Sequence, residues 1–127
     1  MTTTCALVSV VDDDESVRES LPDLLRELGY AVQVYTSAEE FLASKAARDT
    51  QCLILDIFMQ GISGLELIKA LARAGLAVPT IFVTAHVDES LRLRLLEEGA
   101  VECLFKPFSD TALIAALHAA LRDGRLN

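Results

Sequence analysis

Asp12, Asp13, Asp14, Asp56, Thr84 and Lys106 are the residues of this chain whose types suit a common chemistry. Each group follows a short apolar run: VSVV before the acids, CLIL before Asp56, IFV before Thr84 and CLF, closed by Phe105, before Lys106. Carboxylates brought together repel and raise one another's pKa, and they stay ionised at low cost only beside a cation. Hard oxygen donors with open positions suit Mg2+, which keeps part of its water shell and takes carboxylates together with a phosphate. An ionised Asp beside such a cation can attack phosphorus and form an aspartyl phosphate. The transferring phosphoryl group needs charge compensation, which Lys106 and the Thr84 hydroxyl would supply.

Taken singly, each residue also has an ordinary role. Asp12 to Asp14 could favour the positive end of a following helix. Asp56 could cap a turn, Thr84 could cap a helix, and Lys106 could be a solvated lysine. The chemical reading therefore depends on whether the chain's elements bring these residues to one place.

Cys5 to Val11 reads as a first strand. Val17, Leu21, Leu24, Leu25 and Leu28 then fall on one helical stripe, closed by Gly29. Ala31 to Tyr35 reads as a second strand, followed by a helix through Ala43 that Thr36 or Ser37 can cap. Ser37 and Glu40 have capping-box spacing. Cys52 to Leu55 is continuously apolar, the mark of a strand buried on both faces, and it stops at Asp56. Gly61, Ser63 and Gly64 make a loop, and Leu65, Leu67, Ile68 and Leu71 a third helix ending near Gly75. Pro79 opens a fourth strand, Thr80 to Thr84. A fourth helix runs from Asp88 to Glu98, with Leu91 and Leu95 on its buried face, Leu96 beside them and Leu93 off the stripe. Ala100 to Phe105 is a fifth strand, broken by Lys106-Pro107. Ser109 or Asp110 caps a last helix through Leu121, with Leu113, Ile114, Leu117 and Leu121 as its stripe, and Asp123 to Asn127 is a polar, frayed tail.

Short apolar strands alternating with helical segments call for an α/β fold of (βα)5 type, with parallel strands and right-handed crossovers. In such a sheet the carboxyl ends of the strands share one edge, where ligands bind. The acids, the hydroxyl and the ammonium all stand at strand exits, so they converge.

The totals agree with one globular domain. The chain has 127 residues, 52% hydrophobic and 24% charged, enough for a core and too apolar for a disordered tail. A net charge of −8 argues against nucleic-acid binding by this domain and against an anionic membrane surface, and it suits a cation site. Cys5, Cys52 and Cys103 are widely spaced on strand-like segments, with neither disulfide-framework nor zinc spacing, and read as reduced core residues of a cytoplasmic protein. The N-terminus lacks a basic leader pattern, and no apolar run has membrane-spanning length.

With its residues so placed, the chain resembles the receiver domain of bacterial two-component response regulators along essentially its whole length. The resemblance rests on VVDDD at Val10 to Asp14, LILDIFM at Leu53 to Met59, GISGLEL at Gly61 to Leu67, VTA at Val83 to Ala85 and KPF at Lys106 to Phe108. It implies a doubly wound, flavodoxin-like parallel sheet of five strands in the order 2-1-3-4-5, with residues 1–127 as one receiver domain. It implies that Asp56 accepts a phosphoryl group from the phosphohistidine of a sensor histidine kinase. Asp12, Asp13, Asp56 and the backbone carbonyl of Phe58 fall where the family binds Mg2+, with Asp14 just outside. Thr84 falls on the switch hydroxyl and Lys106 on the phosphate-binding lysine, which precedes a cis peptide to Pro107. Such a domain is a signalling receiver, not an enzyme with a separate substrate, although it promotes its own phosphorylation and dephosphorylation. Receivers of this kind signal through the face of the fourth helix, fifth strand and fifth helix, often by pairing with a second receiver. The segment from VDDDESVRESL through GYAVQVYTSAEEFL is most similar to receivers attached to helix-turn-helix DNA-binding outputs. No such output stands in these residues, so the chain is a stand-alone receiver or part of a longer regulator.

The chain departs from the family pattern at two positions. Gln60 stands where a proline is usual. Cys103 stands where the family has an aromatic ring that swings inward with the threonine. Phe58 and His86 flank the expected phosphate site, and Phe58 offers no group to orient an attacking water, which predicts slow loss of the phosphoryl group. Two other classes fit less well. A phosphohydrolase with an aspartate nucleophile would carry a second acid at position 58. A flavin-binding protein would want a phosphate loop rich in Ser, Thr and Gly after the first strand, where this chain has DDDE.

Overall fold

In the computed structural model, the description covers residues 6–57 and 64–125. The elements in order are β1 (Leu7–Val11), α1 (Glu15–Glu27), β2 (Ala31–Tyr35), α2 (Ala38–Leu42), a 3-10 helix (Lys45–Asp49), β3 (Cys52–Asp56), α3 (Gly64–Arg73), β4 (Thr80–Thr84), α4 (Glu89–Glu97), β5 (Glu102–Phe105) and α5 (Asp110–Arg125). The strands form one five-stranded sheet in the order β2-β1-β3-β4-β5, and every pairing is parallel. This is the doubly wound, flavodoxin-like arrangement expected from the sequence.

Alternation along the strands divides the core into two layers. On one face Val8, Val10, Cys52, Ile54, Ile81, Val83 and Leu104 pack with Leu21 and Leu25 of α1 and Leu113 and Leu117 of α5. On the other face Leu53, Leu55, Phe82 and Cys103 pack with Phe41 of α2, Leu67 and Leu71 of α3 and Leu95 of α4. All five residues of β3 are buried, as are all five of β4. A strand covered on both faces has no polar side, which is why CLIL reads as a continuous apolar run. Burying each such leucine contributes roughly 2 kcal/mol.

The boundaries differ from expectation in physical ways. β5 begins at Glu102 rather than Ala100, because Gly99 takes φ +108 and sends the Ala100 N–H back to the Leu95 carbonyl at 3.0 Å. α5 runs on to Arg125, and its buried face includes Ala116 and Ala120, while Ile114 and Leu121 are only half-buried. On α4, Leu95 is buried, Leu91 and Leu96 are half-buried, and Leu93 is 53% exposed. The 3-10 helix was not expected. Ser44 caps it through the Ala46 N–H at 3.0 Å. Thr50 closes it onto the Ala46 carbonyl at 2.9 Å and meets buried Ser9 at 2.6 Å. At α2, Ser37 accepts from the Glu40 N–H at 3.0 Å, but Glu40 reaches back to the Thr36 N–H at 2.6 Å, one residue before the capping-box partner.

Candidate functional site

Parallel register carries the strand exits to one edge. Val11 pairs with Leu55, so Asp12 and Asp56 leave neighbouring strands side by side. Asp56 itself pairs with Val83, and Thr84 with Phe105, so Thr84 and Lys106 follow on the next strands. Three backbone bonds extend the ladders past the strand ends: Asp12 N–H to the Tyr35 carbonyl at 3.2 Å, Ile57 N–H to Val83 at 3.1 Å, and Lys106 N–H to Thr84 at 2.7 Å. The candidate side chains are thus held by the sheet itself rather than by long loops. The Lys106-Pro107 peptide is cis, as the resemblance implies.

The turn after β1 is tied at several points. Asp12 Oδ1 accepts the Asp14 N–H at 2.9 Å. Asp14 Oδ1 in turn caps α1, accepting from the Ser16 N–H at 3.0 Å and the Ser16 hydroxyl at 2.8 Å. Arg18, in the opening turns of α1, donates from Nη1 to the Asp12 carbonyl at 3.0 Å. The helix-capping role weighed for the acidic run therefore falls to Asp14, which leaves Asp12 and Asp13 for other work. Likewise α4 is capped by Asp88, which accepts the Leu91 N–H at 3.1 Å, and not by Thr84.

Carboxylate oxygens of Asp12, Asp13 and Asp56 all lie within 4.8 Å of one another. Asp12 is 0% exposed, Asp56 6%, and Asp13 is exposed. The Lys106 ammonium lies 2.9 Å from Asp12 Oδ2, 3.6 Å from Asp56 Oδ2 and 4.0 Å from Asp14 Oδ2. Burial works to lower the Lys106 pKa, but the Asp12 contact and the charges of Asp12, Asp56 and Asp14 outweigh it and hold the group above its ordinary value. Hydrogen bonds from Ser16 are the largest influence lowering Asp14. Three carboxylates therefore share one ammonium, with Asp13 beside two of them. Asp12 Oδ2 is buried and accepts no aligned hydrogen bond, so its contact with Lys106 acts as a bare ion pair. A buried carboxylate oxygen balanced by an ammonium, beside two further acids, is the donor set of a small hard cation, and the residues present fit Mg2+.

Thr84 is 1% exposed at the end of β4, and its Oγ1 accepts the His86 N–H at 3.0 Å. Its hydroxyl proton can be aimed elsewhere, since the hydrogen bond to His86 uses only a lone pair. Phe58 and Gln60 lie outside the described residues, so the expected carbonyl ligand of the metal does too. Cys103 is 3% exposed, and burial, the main cause, raises its thiol to about 11.

Two participants escaped the sequence reading. One is Arg18, whose signal was a cation in the opening turns of a helix, where the macrodipole disfavours it. The other is the approach of Asp14 to Lys106, which spacing alone does not reveal.

A family model, that of the response regulator receiver domain, matches residues 8–118. Among curated proteins the chain is 46% identical over 114 residues to the transcriptional regulatory protein FixJ of Azorhizobium caulinodans, covering 90% of this chain and 54% of that protein. It is 43% identical over 122 residues to nodulation protein W of Bradyrhizobium diazoefficiens, covering 96% of this chain and 54% of that protein. The chain thus spans about half the length of these relatives. Among solved structures, FixJ-N matches with a TM-score of 0.82 at 37% identity, over 94% of this chain and 96% of that one. Full-length FixJ from B. japonicum matches with a TM-score of 0.84 at 33% identity, over 98% of this chain and 61% of that one. Pattern, sequence and backbone agree across nearly every element that positions the acidic edge, and on that agreement this chain belongs to the response regulator receiver domain family of two-component signalling.

Proposed function

We propose that this domain accepts a phosphoryl group on Asp56 from the phosphohistidine of a sensor histidine kinase, and that the transfer switches its α4-β5-α5 face. The observation that carries the reading is the gathering of Asp12, Asp13 and Asp56 within 4.8 Å beside the Lys106 ammonium. Asp12, Asp13 and Asp56, with the Phe58 carbonyl as the family pattern implies, would hold Mg2+. Bound there, Mg2+ would supply charge neutralisation for the carboxylates and for phosphoryl oxygens that approach them.

An Asp56 carboxylate oxygen attacks phosphorus, the P–N bond to the imidazole breaks, and the imidazole nitrogen keeps the electron pair. The product is an acyl phosphate on Asp56. Lys106 follows the charge from the carboxylates to the phosphoryl oxygens, and the Thr84 hydroxyl turns its proton toward them. Phosphorylation shifts the conformation only by its differential affinity for the two states. The switched face controls a partner, a second receiver or a DNA-binding output in the rest of a longer regulator, and residues 1–127 act as the receiver unit of a cytoplasmic pathway. Among the described residues no helix is long and apolar enough to cross a membrane.

The test is intact mass after incubation with acetyl phosphate and Mg2+. One phosphoryl group is expected on the wild type and none on Asp56→Asn or in excess EDTA. Labelling of Asp56→Asn, or full labelling in EDTA, would refute the reading.

A further inference from the structure

Lys106 has ion-pair contacts to Asp12, Asp56 and Asp14, and the last of these has no part in the phosphoryl transfer described above. Asp14 Oδ1 is committed to the cap of α1 through the Ser16 N–H and hydroxyl at 3.0 and 2.8 Å. Its backbone N–H is committed to Asp12 Oδ1 at 2.9 Å. These bonds fix the residue and leave Oδ2 facing the Lys106 ammonium at 4.0 Å. Asp13, its neighbour in sequence, belongs instead to the metal-type group with Asp12 and Asp56. The consecutive acids thus divide their duties: Asp13 serves the cation group, Asp14 serves Lys106, and Asp12 serves both.

We infer that Asp14 is a positioning residue that restrains Lys106 and slows the entry of the phosphoryl group. This rests on the reading that Asp56 is the acceptor. Before transfer, Lys106 is shared among carboxylates. During transfer its charge must serve the phosphoryl oxygens. Every carboxylate that still attracts the ammonium opposes that change, and Asp14 is the one that chemistry does not otherwise require. Its charge also repels an anionic donor at the mouth of the site, so both effects have the same sign.

The experiment compares Asp14→Asn, Asp14→Ala and Ser16→Ala with the wild type, by labelling rate with acetyl phosphate at saturating Mg2+ and low ionic strength. Asn keeps an oxygen for the cap and removes the charge. Asp14→Asn should label about two- to fivefold faster, the range of a partly exposed ion pair, and the gain should fade in about 0.5 M salt. Ser16→Ala removes the hydroxyl bond but keeps the backbone N–H bond that fixes Asp14 and keeps its charge, and should label at the wild-type rate. Thermal unfolding in EDTA separates the cap from the charge: Asp14→Ala should melt earlier than the wild type, and Asp14→Asn should not. A wild-type or slower rate in Asp14→Asn overturns the inference. So does an acceleration that ignores salt, or one that Ser16→Ala reproduces. If the wild type itself takes no label, the Asp56 reading fails, an outcome distinct from a labelled wild type with an unaltered Asp14→Asn.

Discussion

Neutralising Asp13 should stabilise the metal-free protein and destroy most of its response to Mg2+. Asp13 lies within 4.8 Å of the Asp12 and Asp56 carboxylates, and the ammonium that compensates them makes its ion pairs with Asp12, Asp14 and Asp56. Two unit charges about 5 Å apart repel by roughly 3 kcal/mol at an effective dielectric of about 20. Asp13 is exposed, and screening reduces the repulsion from both neighbours to about 1 kcal/mol in all. Metal-free Asp13→Asn should therefore be more stable than the wild type by about 1 kcal/mol, a rise in melting temperature of about 3–5 °C. Mg2+ at about 100 times its Kd should add roughly 2.7 kcal/mol to the wild type. The variant lacks one of few anionic ligands and should gain less than half of that, so the order of stability inverts on adding the metal. The chain has no Trp, so the assay is urea unfolding followed by far-ultraviolet circular dichroism, in low-salt buffer with EDTA or with Mg2+. A variant less stable than the wild type in EDTA, or an equal Mg2+ increment in both, would refute the electrostatic reasoning.

Alkaline stability should depend on the buried thiols. Burial raises Cys52 to about 12 and is the main cause that raises Cys103 to about 11, against an ordinary value of 9.0. Above pH 9.0 the unfolded chain has released thiol protons that the folded chain keeps, so stability falls as pH rises, from 9.0 to about 11 for Cys103 and to about 12 for Cys52. The urea midpoint should drop between about pH 9 and 11, less steeply in Cys103→Ala; identical slopes would contradict this. In phosphorylation-dependent association by sedimentation, Thr84→Ala should lose the response and Cys103→Ala should keep it. The reverse pattern would show that the Cys103 side chain carries the signal.

β3 and β4 were legible as buried strands because they are covered on both faces, so their composition reports burial directly, whereas the strand order came from the family resemblance. Convergence of Asp12, Asp56 and Lys106 follows from parallel register, which places every strand exit on one edge. What escaped has a common cause, since it depends on contacts between elements. Ala116 and Ala120 complete the buried face of α5, yet alanine carries no strong hydrophobic signal in a sequence. Leu91 sits on the stripe of α4 and is still half-buried, because α4 lies beside β5 at the sheet edge, where cover is thinner. The division of duties among Asp12, Asp13 and Asp14 depends on a turn closed by the Asp14 N–H, and three identical letters carry no sign of it.

The absence of an aromatic ring at Cys103 bears on how a change at Thr84 would reach the outer face. Cys103 is buried in the same apolar cluster as Phe82 and Leu95, and pairs with Phe82 across β4 and β5. Its N–H is held by Glu102 Oε1 at 2.9 Å, and that oxygen also accepts from Arg92 of α4 at 3.0 Å through Nε. Arg92 reaches Glu89 as well, at 2.8 Å. The backbone of β5 is thus tied to α4 through the Glu102 carboxylate, by one hydrogen bond and one ion pair. At the other end, the Lys106 N–H donates to the Thr84 carbonyl at 2.7 Å, and Asp88, four residues beyond Thr84, caps α4. Displacement of Thr84 toward a phosphoryl group would pull on β5 through one bond and on α4 through a short loop, and the Arg92–Glu102 pair links the two. A route made of backbone bonds and one ion pair needs no side chain to change rotamer, so a buried cysteine at this position would leave the proposed switch intact.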